Sequence, residues 1–129
     1  MRQVAYLAAG ALLGAALANC ARASRVAPQP DPVRQSPQYY RVLVDNEVVR
    51  VLEYRLKPGE KEPMHGHPAG VVYYFGDAKF RTTFPDGRVT EPAVTPGETI
   101  WREAVAHASE NIGGTEAHAL AVELKRACR

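Results

Sequence analysis

The chain has 129 residues, enough for one domain built on one core and too few for two. Its formal charge is +2 at pH 7, and no Lys/Arg-rich run occurs in it, which excludes a nucleic-acid binder. Ten prolines and ten glycines exclude long helices and predict a β-rich fold with many turns.

Residues 1–19 predict a signal peptide. Arg2 supplies a positive start, and residues 4–18 form an apolar, small-residue run. That run is too short to span a bilayer, which needs about 20 apolar residues. Ala16-Leu17-Ala18 offers an A-x-A cleavage site. Leu17-Ala18-Asn19-Cys20 also resembles the lipobox of bacterial lipoproteins, which implies a lipid on Cys20, although Asn19 stands where that pattern has Gly, Ala or Ser. Two alternatives stay open: a Cys20–Cys128 disulfide, which an even cysteine count in an exported protein permits, and an uncleaved N-terminal anchor. The expected location is the periplasm or the membrane-anchored lipoprotein layer of a bacterial cell envelope, with the lipid as the only membrane contact.

Residues 20–39 read as a linker. Ala27-Pro28-Gln29-Pro30-Asp31-Pro32 carries three prolines, each lacking a backbone donor, and predicts an extended segment. The folded domain is expected over residues 40–126. Residues 40–44 open it as a strand. Residues 48–56 follow, with Leu52, Tyr54 and Leu56 on one face and Glu53 and Arg55 on the other. Pro58-Gly59 makes a turn. Residues 71–75 are β-branched and aromatic throughout and read as a buried strand. Gly76-Asp77 leads into a strand over 78–84, and Pro85-Asp86-Gly87 turns the chain again. Residues 89–94 are broken by Pro92 and suit an edge. Pro96-Gly97-Glu98 precedes a strand over 99–101. The last strand covers 117–125, with Leu120, Val122 and Leu124 on one face. Short strands at such regular spacing predict a sandwich or a barrel.

His65 and His67 lie two residues apart, so on a strand both rings point to one face and can converge on one ion. Gly59 precedes His65 by five intervening residues; Gly97 precedes His107 by ten residues, and Asn111 follows it after three more. In these features residues 40–125 resemble the two motifs of the cupin superfamily, G-x5-H-x-H-x(3,4)-E-x6-G and G-x5-P-x-G-x2-H-x3-N. The resemblance implies an all-β, RmlC-like double-stranded β-helix (jelly-roll) barrel. It also implies a divalent transition metal (Fe, Zn, Mn, Ni or Cu) held by His65, His67 and His107, and a homodimer. The sequence departs from the motifs at the glutamate, which falls on Val71 or Val72, and, counted from Gly97, at the second motif's proline and glycine, which are Glu103 and Val105, with His107 one residue nearer to Gly97 than the motif's histidine. Glu60, Glu62 and Glu103 are candidates for the missing carboxylate. His118 shares strand parity with Leu120 and Val122 but lies outside both motifs, and reads as a rim or hydrogen-bonded histidine. Tyr73 and Trp101 are expected in the core or lining a small-molecule pocket at the barrel mouth.

Two function classes follow. In one, the three histidines hold an ion that acts on a small organic molecule, in an oxygenase or isomerase type of reaction. In the other, the barrel is a non-catalytic binder of a small ligand or a metal in the cell envelope. No catalytic residue is assigned by the sequence, and neither cysteine sits in a C-x-x-C pair or beside a base.

Overall fold

Alternating strands and tight turns dominate residues 29–125, the part of the chain that the computed structural model describes. The predicted leader, Cys20 with its lipid or disulfide, and Cys128 lie outside the described residues. Among the described residues no helix is long and apolar enough to cross a membrane. In chain order the elements are α1 (Pro32–Gln35), β1 (Tyr40–Asp45), β2 (Val49–Leu56), β3 (Lys61–His67), β4 (Gly70–Tyr74), β5 (Ala78–Thr83), β6 (Val89–Thr90), β7 (Ala93–Val94), β8 (Thr99–Arg102), β9 (Val105–Asn111) and β10 (Ala117–Leu124).

The strands form two antiparallel sheets facing each other. One runs β1-β2-β10-β4-β8; the other runs β3-β9-β5-β6, with β7 also on β5. This is the expected jelly-roll plan. Gly59, Gly87 and Gly97 all have positive φ, near +80°, so each predicted turn uses the backbone region that glycine enters without strain. Residues 89–94 split around Pro92 into two short strands at the edge of β5, as a proline inside a strand requires.

The space between the sheets is filled at one end by Leu56, Ala78, Phe80, Val94 and Ala117, and further along by Leu52, Val72, Ala119 and Ala121. The inward face of β10 is therefore its alanine face: Ala117, Ala119, Ala121 and Glu123 are buried, while His118, Leu120, Val122 and Leu124 are half-buried on the outside. This reverses the parity suggested by the larger aliphatics. β10 lies in the middle of its sheet between β2 and β4. Small side chains there leave room inside the barrel, and the bulkier ones go to the outer face.

The start of the domain is also corrected. The segment from Gln29 to Tyr39, expected to be extended linker, packs against the barrel. Asp31 caps α1, its Oδ1 accepting from the backbone N–H of Val33 (3.0 Å) and Arg34 (3.3 Å), and Pro32 sits at the helix start. A proline that would break a helix interior fits that first position, where the missing N–H has no partner to lose. Pro32 and Ser36 are buried. Ahead of the helix, the Pro30 carbonyl accepts from the N–H of Gly66 at 3.0 Å. The contact is close: a Cβ on Gly66 would stand 2.8 Å from the Cβ of Gln29. The N-terminal strap thus lies directly over the residue between His65 and His67.

Candidate metal centre

The three clustered histidines come from two neighbouring strands of the second sheet. His65 on β3 is directly opposite His107 on β9, where side chains on one face are immediate neighbours. His67 follows on the same face of β3. Between Glu62 and His65 the register slips, with Glu62 opposite Ser109 and His65 opposite His107. Three steps on β3 match two on β9, so one extra residue bulges out. The bulge turns Glu62 onto the same interior face as the two histidines, which a regular strand would not do.

The rings converge. Centroids are 4.7 Å apart for His65–His67, 4.8 Å for His65–His107 and 5.3 Å for His67–His107. One ligand nitrogen from each ring lies within 4.8 Å of the others. The hydrogen bonds around them fix which nitrogens are available. Nδ1 of His65 is 2.8 Å from the Pro63 carbonyl oxygen, and Nδ1 of His67 is 2.7 Å from Oε1 of Glu123. Both oxygens only accept, so both Nδ1 atoms donate, and in neutral rings both Nε2 atoms are bare lone pairs. Those two Nε2 atoms face each other at 2.9 Å in a buried place. Burial, with the neighbouring Arg102 and His65 adding to it, pushes His67 down to about 2. Burial and the other two rings push His107 down to about 2. Two bare nitrogens at that distance repel unless a cation lies between them. A proton joins two nitrogens, whereas a metal ion joins three. The convergence of the third ring therefore fits an imidazole-binding divalent ion.

Glu123 is the anchor behind this pair. It is fully buried, and its Oε2 accepts from Nε and Nη2 of Arg50, both at 2.7 Å. Nη1 of Arg50 in turn pairs with Asp31 of the strap at 2.7 Å. A chain of polar contacts, Asp31–Arg50–Glu123–His67, thus runs from the strap to a histidine of the cluster.

None of the carboxylates offered by the sequence joins the three rings. Glu60 accepts from the Lys57 N–H in its turn, and Glu103 accepts from the Trp101 indole. Glu62 is buried and accepts from the Tyr54 hydroxyl at 2.8 Å, while its other oxygen has no hydrogen-bond partner. Burial raises Glu62 above the ordinary carboxylate range. Burial first, and then Glu62, raises Tyr54 and Tyr40 well above the ordinary phenol range. Val72 stands at a position where the motif has glutamate, and it lines the cavity.

That cavity is about 100 Å³ and reaches from His67 and His107 past Glu62 to Tyr74 and Arg102. Tyr73 and Trp101 are not part of it. They are 38% and 55% exposed on the outer face, correcting the expected pocket. Strand parity is the reason. β4 turns Gly70, Val72 and Tyr74 inward, and β8 turns Ile100 and Arg102 inward, so the rings between them point out. His118 is a hydrogen-bonded histidine on the outer face of β10, one of the two expected readings: its Nε2 lies 2.9 Å from Glu53 Oε1, and its ring packs on Phe75. Asn111 of the second motif has a structural task. It donates from Nδ2 to the carbonyls of Leu56 and Thr115. Glu123, Arg50 and Arg102 were not singled out in the sequence.

No protein-family model matches the chain, and no curated protein sequence matches it. Solved structures do. A cupin domain from Bordetella pertussis Tohama I is 27% identical, with a TM-score of 0.62 over 78% of this chain and 99% of that one. An RmlC-like cupin with a double-stranded β-helix fold from Methanocaldococcus jannaschii is 17% identical, with a TM-score of 0.53 over 66% and 77%. The polyketide cyclase RemF from Streptomyces resistomycificus is 24% identical, with a TM-score of 0.51; the match covers 67% of this chain and 64% of the cyclase. The described part of this chain therefore has the cupin fold, the RmlC-like double-stranded β-helix, with three histidines clustered inside it.

Proposed function

We propose that this chain is a metal-dependent enzyme acting on a small organic molecule, of the oxygenase or isomerase type, that works in the bacterial cell envelope. The observation that carries the metal is the pair of bare Nε2 atoms of His65 and His67, 2.9 Å apart, with His107 closing the cluster. A divalent ion bound by these three rings supplies Lewis-acid polarisation of a substrate oxygen. Glu123 holds the His67 ring in the tautomer that leaves Nε2 free. Tyr54 fixes one oxygen of Glu62, and the unpartnered Oε1 is the atom placed to take or give a proton. Burial raises its affinity for a proton, the direction a proton-transferring carboxyl needs. Val72, Phe80, Ala119 and Ala121 form the apolar wall that limits water around the reacting group. A polyketide cyclase has the same fold, so an enzyme is known on this architecture; its reaction is not carried over. The location rests on the apolar run at residues 4–18 and the Cys20 segment.

A second reading has one observation behind it: among the described residues no carboxylate joins the three histidines. A non-catalytic metal or ligand binder needs none. Protein purified without added metal is expected to hold close to one transition ion per chain by elemental analysis. His65→Ala, His67→Ala and His107→Ala are each expected to lose it. Retention in all three variants removes the site. Oxygen uptake, and deuterium incorporation from heavy water, with a panel of small thiols, diketones and phenols then separate enzyme from binder. Neither signal with fully loaded protein leaves the binder.

A further inference from the structure

Arg102 lines the cavity and takes no part in the histidine cluster. Its side chain is 17% exposed, on the inward face of β8, and opposite it on β4 is Gly70, which has no side chain to meet it. The nearest carboxylate oxygen, Oε1 of Glu123, is 3.7 Å from its Nη2, beyond hydrogen-bond reach. That carboxylate is already held by His67 and Arg50. Nε and Nη2 of Arg102 are buried and have no hydrogen-bond partner. Buried guanidinium groups are normally hydrogen-bonded, and an exception calls for an explanation.

The two unpaired nitrogens are the two donors of one guanidinium edge. Arg50 uses the same edge to grip Glu123. Two parallel N–H groups at that spacing match the two oxygens of a carboxylate. Across the cavity, Glu62 is 3% exposed and its Oε1 is likewise unpartnered. The cavity is about 100 Å³. An apolar cavity of roughly 150 Å³ takes benzene, so about six non-hydrogen atoms is the upper size inside the barrel. Three neutral imidazoles leave the charge of a bound divalent ion uncompensated, and Arg102 adds to it.

We infer that the cavity takes a small organic carboxylate, with its two oxygens on the Nε/Nη2 edge of Arg102. This substrate class deepens the enzyme reading above and rests on it for the metal, but not for the Arg102 contact. Calorimetric titration tests it with acetate and pyruvate, each against its neutral amide, on zinc-loaded and on chelator-stripped protein. At least one carboxylate is expected to bind about tenfold or more tightly than its amide. Arg102→Gln is expected to abolish that preference with zinc content and melting temperature retained. Should that variant not fold, Arg102→Lys keeps the cation but not the paired donors, and is expected to lose most of the preference. Equal binding of acids and amides overturns the inference. So does a preference that survives both variants, because the acid then sits on the metal alone. Failure of zinc retention with an Arg102-dependent preference intact sinks the metal reading and leaves the carboxylate site standing.

Discussion

Glu123 is fully buried and holds the His67 ring through one oxygen and Arg50 through the other, with Arg102 nearby. A carboxylate in that position does two separable things. It neutralises buried cations, and it orients a histidine of the cluster. Glu123→Ala leaves Arg50 and Arg102 without their common counter-charge, and removing one partner of a buried pair costs about 3–5 kcal/mol. It also frees the His67 ring, which lowers metal affinity about 10–100-fold. Glu123→Gln keeps an oxygen that can accept from Nδ1 but removes the charge. The expected result is that Gln recovers much of the metal affinity lost in Ala while recovering little of the stability. Metal competition titrations and urea unfolding read the two effects. Equal metal affinity in Ala and wild type would show that Glu123 has only a charge-balancing role.

Among the elements, the N-terminal strap is tied to the histidine cluster twice: through the Pro30 carbonyl on Gly66, and through Asp31 to Arg50. Asp31→Ala removes both the α1 cap and that ion pair. Loss of the cap alone costs about 0.5–2 kcal/mol. Protein shortened to begin at Gln29 is expected to melt like the full chain, whereas protein shortened past Ser36 is expected to melt several degrees lower and to hold metal less tightly. Equal melting of the two shortened forms removes the strap from the folded unit. This element was hidden in the sequence because three prolines in six residues read as an extended linker. The role of Pro32 as a helix start depends on Asp31 and on the barrel surface beneath. Most strands were legible because alternation and turn residues are local signals, and Gly59, Gly87 and Gly97 each mark a turn with positive φ. β3 and β9, which carry the three histidines, were not legible as strands, because Pro63, Gly66, Ala106 and Ala108 blur their alternation. The histidines themselves were legible only through the H-x-H pair and the motif resemblance. The inward placement expected of Tyr73 on β4 and Trp101 on β8 failed, as did the inward face that the aliphatics of β10 suggested. Which face is inside depends on the space between sheets, so Ala119 went in while Leu120 and Tyr73 stayed out. The Arg50, Arg102 and Glu123 cluster joins residues far apart in sequence, and no local pattern announces it.

At the scale of the whole molecule, the barrel keeps at least two neutral imidazoles in a place that burial makes hostile to a positive ring. In the folded, metal-free chain His67 and His107 take up a proton only near pH 2, while in the unfolded chain they do so near pH 6.5. Between those limits the unfolded state binds more protons, so stability rises with pH and is lost as pH falls below about 6.5. Each ring that stays neutral contributes a slope of up to about 1.4 kcal/mol per pH unit. Glu62 acts with the opposite sign. Its raised affinity means the folded state binds this proton at a higher pH than the unfolded state does, so acid favours folding as that proton goes on. One group opposes two, and the net expectation is destabilisation. Urea unfolding of metal-free protein between pH 7.5 and 5 should show the midpoint falling, with a clearly shallower fall in His67→Gln/His107→Gln. Metal loading should hold the midpoint up until protons compete the ion off the same nitrogens, which moves the fall to lower pH and makes it steeper. A midpoint that is flat over this range in metal-free wild type would mean that the rings meet their protons equally well folded and unfolded, and hence that they are not buried together as described.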